Sequence, residues 1–208
     1  MKNIIMFGPP GSGKGTQAGR IAQLHGLKTI STGELLRREI QQRTPLGLQL
    51  ETAIAAGELV SDETATALLK KSLSGDHQGV IFDGYPRTLG QSATLTGLLS
   101  ERNLAITHVF ELRIADHLLI ERVAGRFSCR GCQRGYHDIF AYPANGVCCG
   151  EGWDRRPEDN ATALGVRLRR YHDNVQEVLQ HWNQHPYFHV IDAGLPMSEV
   201  AQQIDGFL

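Results

Sequence analysis

Residues 3–17 read NIIMFGPPGSGKGTQ, and the fold follows from this stretch. Its first five residues are an unbroken apolar run, the pattern of a strand buried on both faces of a parallel sheet. Glycines 8, 11, 13 and 15 come directly after it and leave backbone N–H groups free to face a polyphosphate. Residues 14–26 then read as an amphipathic helix closed by Gly26, whose N-terminus adds positive potential to the loop. Lys14 is spaced to reach the β- and γ-phosphates of a bound nucleotide. A glycine-rich turn that binds nothing is the bland alternative, and the strand–loop–helix order argues against it.

Further strands are expected at residues 27–32, 79–84, 108–113 and 188–192. Helices are expected through 33–73 (broken at Pro45 and near Gly57), at 160–184 and after Met197. Strands alternating with helices predict an α/β fold, a P-loop NTPase-like parallel β-sheet flanked by helices. One segment breaks the rhythm. Residues 127–157 hold five glycines, two prolines and all four cysteines with little helical periodicity, and read as an insertion. The chain of 208 residues suffices for one core domain with such insertions. A net charge of −1 offers no general attraction to nucleic acid or an anionic membrane. No apolar run resembles a signal peptide or a membrane span, so a cytoplasmic protein is expected. Arginines outnumber lysines 16 to 5, and the guanidinium fork suits phosphate recognition. The loop departs from the usual pattern in one respect: Gly15 follows the lysine and Thr16 comes one place late. A magnesium ion would therefore be held mostly through phosphates and waters, as suits a small kinase better than a GTPase switch.

GPPGSGKGTQ (8–17), STGELLR (31–37), FDGYPRT (82–88) with Gln91, ERVAGR (121–126) and RRPEDN (155–160) resemble the adenylate kinase family in order and spacing. The resemblance spans nearly the whole chain. It implies a core of residues 1–30, 61–124 and 160–208, a nucleoside-monophosphate-binding segment at 31–60 and a lid at 125–159. It implies reversible phosphoryl transfer from MgATP to AMP, giving two ADP, by a monomer. ATP would lie against Gly11, Ser12, Gly13, Lys14, Gly15, Thr16, Arg122, Arg126, Gly135, Tyr136 and Leu195. AMP would lie against Thr32, Arg37, Glu58, Leu59, Val60, Gly84, Tyr85, Pro86, Arg87, Gln91, Arg156 and Arg167. Thr32 reads equally well as a helix N-cap, and Gln91 as a solvated glutamine. Asp83, at the carboxyl end of its strand, would order the waters of magnesium. Phosphoryl transfer needs alignment and charge stabilisation more than covalent chemistry, so Lys14, Arg87, Arg122, Arg126, Arg156 and Arg167 with Asp83 form the expected catalytic set. Gly165 stands where the family often has another arginine.

Cys129 and Cys132 form a C-x-x-C, a spacing that zinc knuckles and redox dithiols share, and Cys148 and Cys149 follow within 21 residues. Such clustering favours a metal over a disulfide framework. Long lids of the resembling family either hydrogen-bond their side chains together or bind a structural zinc. Cys129, Cys132, Cys148 and Glu151 keep the family's ligand spacing; Cys149 is the alternative fourth ligand, and His137 a further nitrogen candidate. A metal-free or disulfide-linked lid and a redox sensor stay open at this point. Rival functions are a GTP:AMP or UMP/CMP phosphotransferase on the same scaffold, or a non-catalytic zinc-bearing nucleotide-binding module.

Overall fold

The computed structural model describes residues 1–56, 60–75, 78–132, 134–146 and 148–208. Strand β1 (Lys2–Phe7) runs through the centre of a five-stranded sheet ordered β2-β3-β1-β4-β8, with β2 (Lys28–Ser31), β3 (Gly79–Asp83), β4 (His108–Arg113) and β8 (Phe188–Asp192) all parallel. Alternation along β1 supplies two cores at once. Ile4 and Met6 face α1 (Lys14–His25) and α8 (Met197–Asp205) through Ala18, Ile21, Val200 and Ile204. Ile5 and Phe7 face α4 (Asp62–Ser72), α5 (Leu89–Ser100) and α7 (Ala161–Trp182) through Leu69, Leu95, Leu99 and Trp182. Each such side chain fully buried is worth about 1.5–3 kcal/mol. Asn3 is buried within this apolar strand, yet its amide donates to Ala105 O at 2.9 Å and accepts from Val80 N at 3.2 Å, so its polar atoms stay satisfied.

Helix starts follow the side chains that cap them. Thr88 Oγ1 accepts from Gln91 N at the head of α5, Ser61 Oγ from Thr64 N at α4, and Asn160 Oδ1 from Ala163 N at α7. Helix α2 (Thr32–Gln41) packs against α3 (Pro45–Ala55), which Thr44 caps and Pro45 opens. Helix α6 (His117–Ala124) leads out of β4 toward the insertion.

The insertion, read from sequence as irregular, is a small antiparallel sheet ordered β6-β5-β7, made of β5 (Arg126–Cys129), β6 (Gly135–His137) and β7 (Trp153–Asp154). Alternation in such short strands leaves almost no periodic signal. Its interior is aromatic: Phe127, Tyr136 and Trp153 lie 5.1–5.8 Å apart between ring centroids, with Tyr142 5.9 Å from Phe127.

One contact limits how closely α2 and α3 approach. A Cβ at Gly47 would stand 2.1 Å from Glu39 O, against rigid backbone. Gly47→Ala should therefore separate the two helices and cost about 1–3 kcal/mol. Urea unfolding should show a lower midpoint with an unchanged slope; an unchanged midpoint would contradict the packing.

Candidate functional site

All parallel strands deliver their carboxyl ends to one edge, where α/β sheets bind ligands. The loop after β1 turns at Gly8, whose φ is 148°, and where a Cβ would stand 2.7 Å from Ser12 Oγ and 2.8 Å from Leu112 O. Lys14 opens α1, and its ammonium folds back under the loop, donating to Gly8 O at 2.6 Å and Pro9 O at 2.9 Å. The side chain as a whole is half-buried, but the nitrogen is enclosed. Burial lowers its pKa to about 8; Asp83 pulls it back up, while Arg87, Arg167 and Arg126 push it further down. These five groups, from five separate elements or loops, therefore share one electrostatic site.

Asp83 ends β3 level with Met6 of β1, close to the loop: its Oδ2 would be 3.5 Å from a Cβ at Gly15. Thr16 is exposed on the first turn of α1. Arg126 grips Asp159 through both Nε (2.7 Å) and Nη2, and Arg167 Nη1 lies 3.6 Å from the same carboxylate. That Arg167 nitrogen is buried without a hydrogen-bond partner. Burial, with Arg126 nearby, lowers the pKa of Arg167 to about 10, and Arg156 is lowered to about 10 by burial, Arg126 and Arg37. Arg122 stands apart from this crowd: its guanidinium donates to Ala193 O at 2.8 Å and Gly194 O at 3.5 Å, beside Leu195.

Arg37 Nη1 pairs with Glu158 Oε1 at 3.1 Å, and Arg156 feels both groups. Thr32 is not the cap of α2 that its sequence suggested. Ser31 holds that position, and the Thr32 hydroxyl donates to Gly84 O at 2.9 Å. Arg87 Nε donates to the same carbonyl at 2.8 Å, so Thr32, Gly84 and Arg87 converge. Tyr85 is core, 1% exposed with its hydroxyl on Thr66, and Pro86 is buried beside it. Gln91 is buried rather than solvated. Val60 packs at the edge of the core, whereas Glu58 and Leu59 lie outside the described residues. In the insertion, Gly135 faces open space and Tyr136 belongs to the aromatic cluster. Sequence reasoning overlooked Glu158, an acid 4% exposed among arginines; the dense charge alternation of RRPEDN was its one signal.

The four thiols of Cys129, Cys132, Cys148 and Cys149 lie within 4.8 Å of one another. Cys129, Cys132 and Cys148 were expected together, with Glu151 or else Cys149 as a fourth donor, and the Cys149 thiol lies in the cluster. Gly150 and Gly152, both at φ 82°, turn the chain on either side of Glu151, whose stem lies over Gly131. Cys132 Sγ and Cys148 Sγ are 3.4 Å apart. Hydrogen bonding from the Cys132 backbone lowers the Cys129 thiol to about 6. His137 is committed elsewhere: Nε2 contacts Glu121 O at 3.0 Å, and Nδ1 accepts from Ile139 N and Phe140 N. Four thiols at this separation match the donor set of a tetrahedral zinc site.

The sequence model of the adenylate kinase family matches residues 6–187. The chain is 40% identical to the adenylate kinase of Novosphingobium aromaticivorans over 99% of its own length and 98% of the relative's. It is 39% identical to that of Sphingopyxis alaskensis (99% and 97%) and 39% to that of Zymomonas mobilis (97% and 93%).

Folding lowers the Lys14 pKa from 10.5 to about 8. Below the lower value the group is charged in folded and unfolded chains alike, and its burial depresses stability by a constant amount. Between the two values the folded protein has released a proton that the unfolded chain still holds, so this contribution to stability rises with pH. The stability of the wild type relative to Lys14→Met should climb across that window in urea unfolding; a flat difference would mean the ammonium is not enclosed.

Proposed function

The chain belongs to the adenylate kinase family, and we propose how its residues divide the work of the reaction. The enzyme transfers a phosphoryl group from ATP to AMP, giving two ADP. The observation that carries the assignment of roles is the shared field at Lys14, to which Asp83, Arg87, Arg167 and Arg126 all contribute. Loop amides and Lys14 hold the donor phosphates; Arg126, Arg156 and Arg167 neutralise the transferring group. Arg37 and Arg87 hold the acceptor phosphate, and Gln91 reads the edge of the acceptor base. The Arg167 nitrogen supports this reading: it is buried with no hydrogen bond, its carboxylate neighbour Asp159 standing 3.6 Å away, and it retains donor capacity for an anionic acceptor. Arg122, tied to Ala193 and Gly194, holds the loop bearing Leu195 against the donor base. No side chain acts as a general base; in-line alignment and charge stabilisation carry the rate.

The Asp83 carboxylate beside the loop suits a magnesium ion held through water, and that ion would supply charge neutralisation on the ATP phosphates when bound. In the division proposed here, residues 31–60 carry the acceptor and 125–159 form a lid that closes once both nucleotides are bound, which keeps water from the donor phosphate. Cys129, Cys132, Cys148 and Cys149 hold a structural zinc within that lid. Among the described residues no helix is long and apolar enough to cross a membrane, and a monomer working in the cytoplasm is the reading adopted.

A coupled assay of ADP production with AMP, CMP, UMP and GMP as acceptors tests the reaction. Lys14→Met and Arg87→Ala should each lower kcat by a factor on the order of 10² or more. Near-wild-type turnover in both would sink the assignment of roles.

The zinc has its own test. Protein purified without added metal should contain about one zinc per chain. Cys149→Ser should lose the metal while Glu151→Ala keeps it, and chelation should lower the melting temperature with activity retained at moderate temperature. Metal retained by Cys149→Ser and lost by Glu151→Ala would restore the spacing-based ligand set.

A further inference from the structure

An amide side chain can present its oxygen and nitrogen in either order by turning half a revolution, because the two are nearly the same size. Gln91 is not free to turn. Its Oε1 accepts from Arg87 N at 2.7 Å, and its Nε2 donates to Asp62 Oδ1 at 2.8 Å. A backbone N–H can only donate and a carboxylate can only accept. Turning the amide would set N–H against N–H and oxygen against carboxylate, both in a position only 4% exposed. Two hydrogen bonds would be lost and two buried polar contacts made repulsive.

The Asp62 carboxylate is itself fixed. It sits in the first turn of α4, where the helix end favours an anion. Its second oxygen accepts from Thr88 Oγ1 at 2.6 Å, and that same hydroxyl oxygen caps α5 by accepting from Gln91 N at 3.1 Å. Nothing in phosphoryl transfer requires a carboxylate here.

We propose that Asp62 is a positioning residue that fixes the donor–acceptor order of the Gln91 amide, and thereby makes the acceptor site select adenine over guanine and hypoxanthine. This rests on the reading of Gln91 as the group that meets the acceptor base. After its bonds to Arg87 and Asp62, the amide keeps one lone pair on oxygen and one N–H, in a fixed order. Adenine offers an amino donor next to a ring-nitrogen acceptor, which complements that pair. Guanine and hypoxanthine offer a carbonyl acceptor next to a ring N–H donor, the reverse order, and meet two mismatches. A site that hydrogen-bonds one pattern in this way rejects the other strongly. Arg87 supplies its half of the constraint from the backbone, beyond the reach of a side-chain substitution. Asp62 supplies the half that mutation can remove.

Asp62→Asn keeps the shape but not the direction, since an asparagine can donate to Gln91 Oε1 as readily as it accepts from Nε2. Steady-state kinetics with AMP, GMP and IMP as acceptors, at saturating MgATP, should show the AMP preference in kcat/KM falling by at least about tenfold. The change should lie mainly in a raised KM for AMP, with KM for ATP and kcat little altered. Because the preference is a ratio within one preparation, partial unfolding leaves it unchanged; Asp62→Ala provides a second variant should the asparagine protein prove unstable. An equal loss with all three acceptors would overturn the proposal and leave Asp62 as a helix-end carboxylate. Gln91→Ala separates the two levels of the argument. If it relaxes the preference while both Asp62 variants keep it, only the role of Asp62 falls. If Gln91→Ala also keeps the preference, the base is read elsewhere and the underlying assignment of Gln91 falls with it.

Discussion

Like charge held close together is the constraint on which this structure turns. Lys14, Arg37, Arg87, Arg126, Arg156 and Arg167 meet at one edge of the sheet, and the anions among them are Asp83, Glu158 and Asp159. Part-buried cations are costly unless paired: burial first, and the neighbouring arginines after it, lower Lys14 to about 8 and Arg156 and Arg167 to about 10 each. No single element could carry so many cations on one face and still fold. The chain distributes them over the start of α1, helix α2, the turn after β3, strand β5, the segment between β7 and α7, and helix α7. Packing of the two hydrophobic layers then forces them together. The energy that assembles the site is thus supplied by Ile4, Ile5, Met6 and Phe7 and their neighbours in the two hydrophobic layers.

Register turns this packing into position. Met6 lies opposite Asp83 on one side and Phe110 on the other, so the loop that follows β1 emerges beside the carboxylate that ends β3. The insertion solves a different problem. A segment of about 30 residues cannot bury much apolar surface by itself. It has an aromatic cluster around Phe127 and, beside it, four converging thiols, Cys129 lying opposite Trp153 in the small sheet, with His137 fastening the insertion to Glu121 of α6.

Sequence carries information of the first kind well. The loop, the five parallel strands and the arginines along their ends were all readable, because each is a local pattern: an apolar run, a glycine spacing, a guanidinium one helical turn from a hydroxyl. Features that depend on chain direction between such patterns were not. Spacing left Glu151 and Cys149 both open as the fourth metal donor, and only the folded chain shows the Cys149 thiol within 4.8 Å of the other three, with Gly150 and Gly152 in the left-handed region on either side of Glu151. Thr32 looked like a cap, but the helix starts at that residue, which turns its hydroxyl toward Gly84. Asp62 is hidden for another reason. An acid following Ser61 at a helix start has a sufficient local explanation, and only the tertiary approach of α4 to α5 reveals its bond to Gln91.

Glu158 shows why the anions matter as much as the cations. It comes from the arm leading into α7, pairs with Arg37 of α2, and is felt by Arg156 and Arg167 as well. An anion that takes Arg37 must take it from this carboxylate. The exchange costs less than breaking an isolated buried pair, because Glu158 keeps two other arginines when Arg37 leaves. A buried pair with a single partner would instead strand its remaining charge, at a cost of several kcal/mol. Sharing one carboxylate among several guanidiniums therefore holds them together without locking them, which is what a site that must admit and release a phosphate requires.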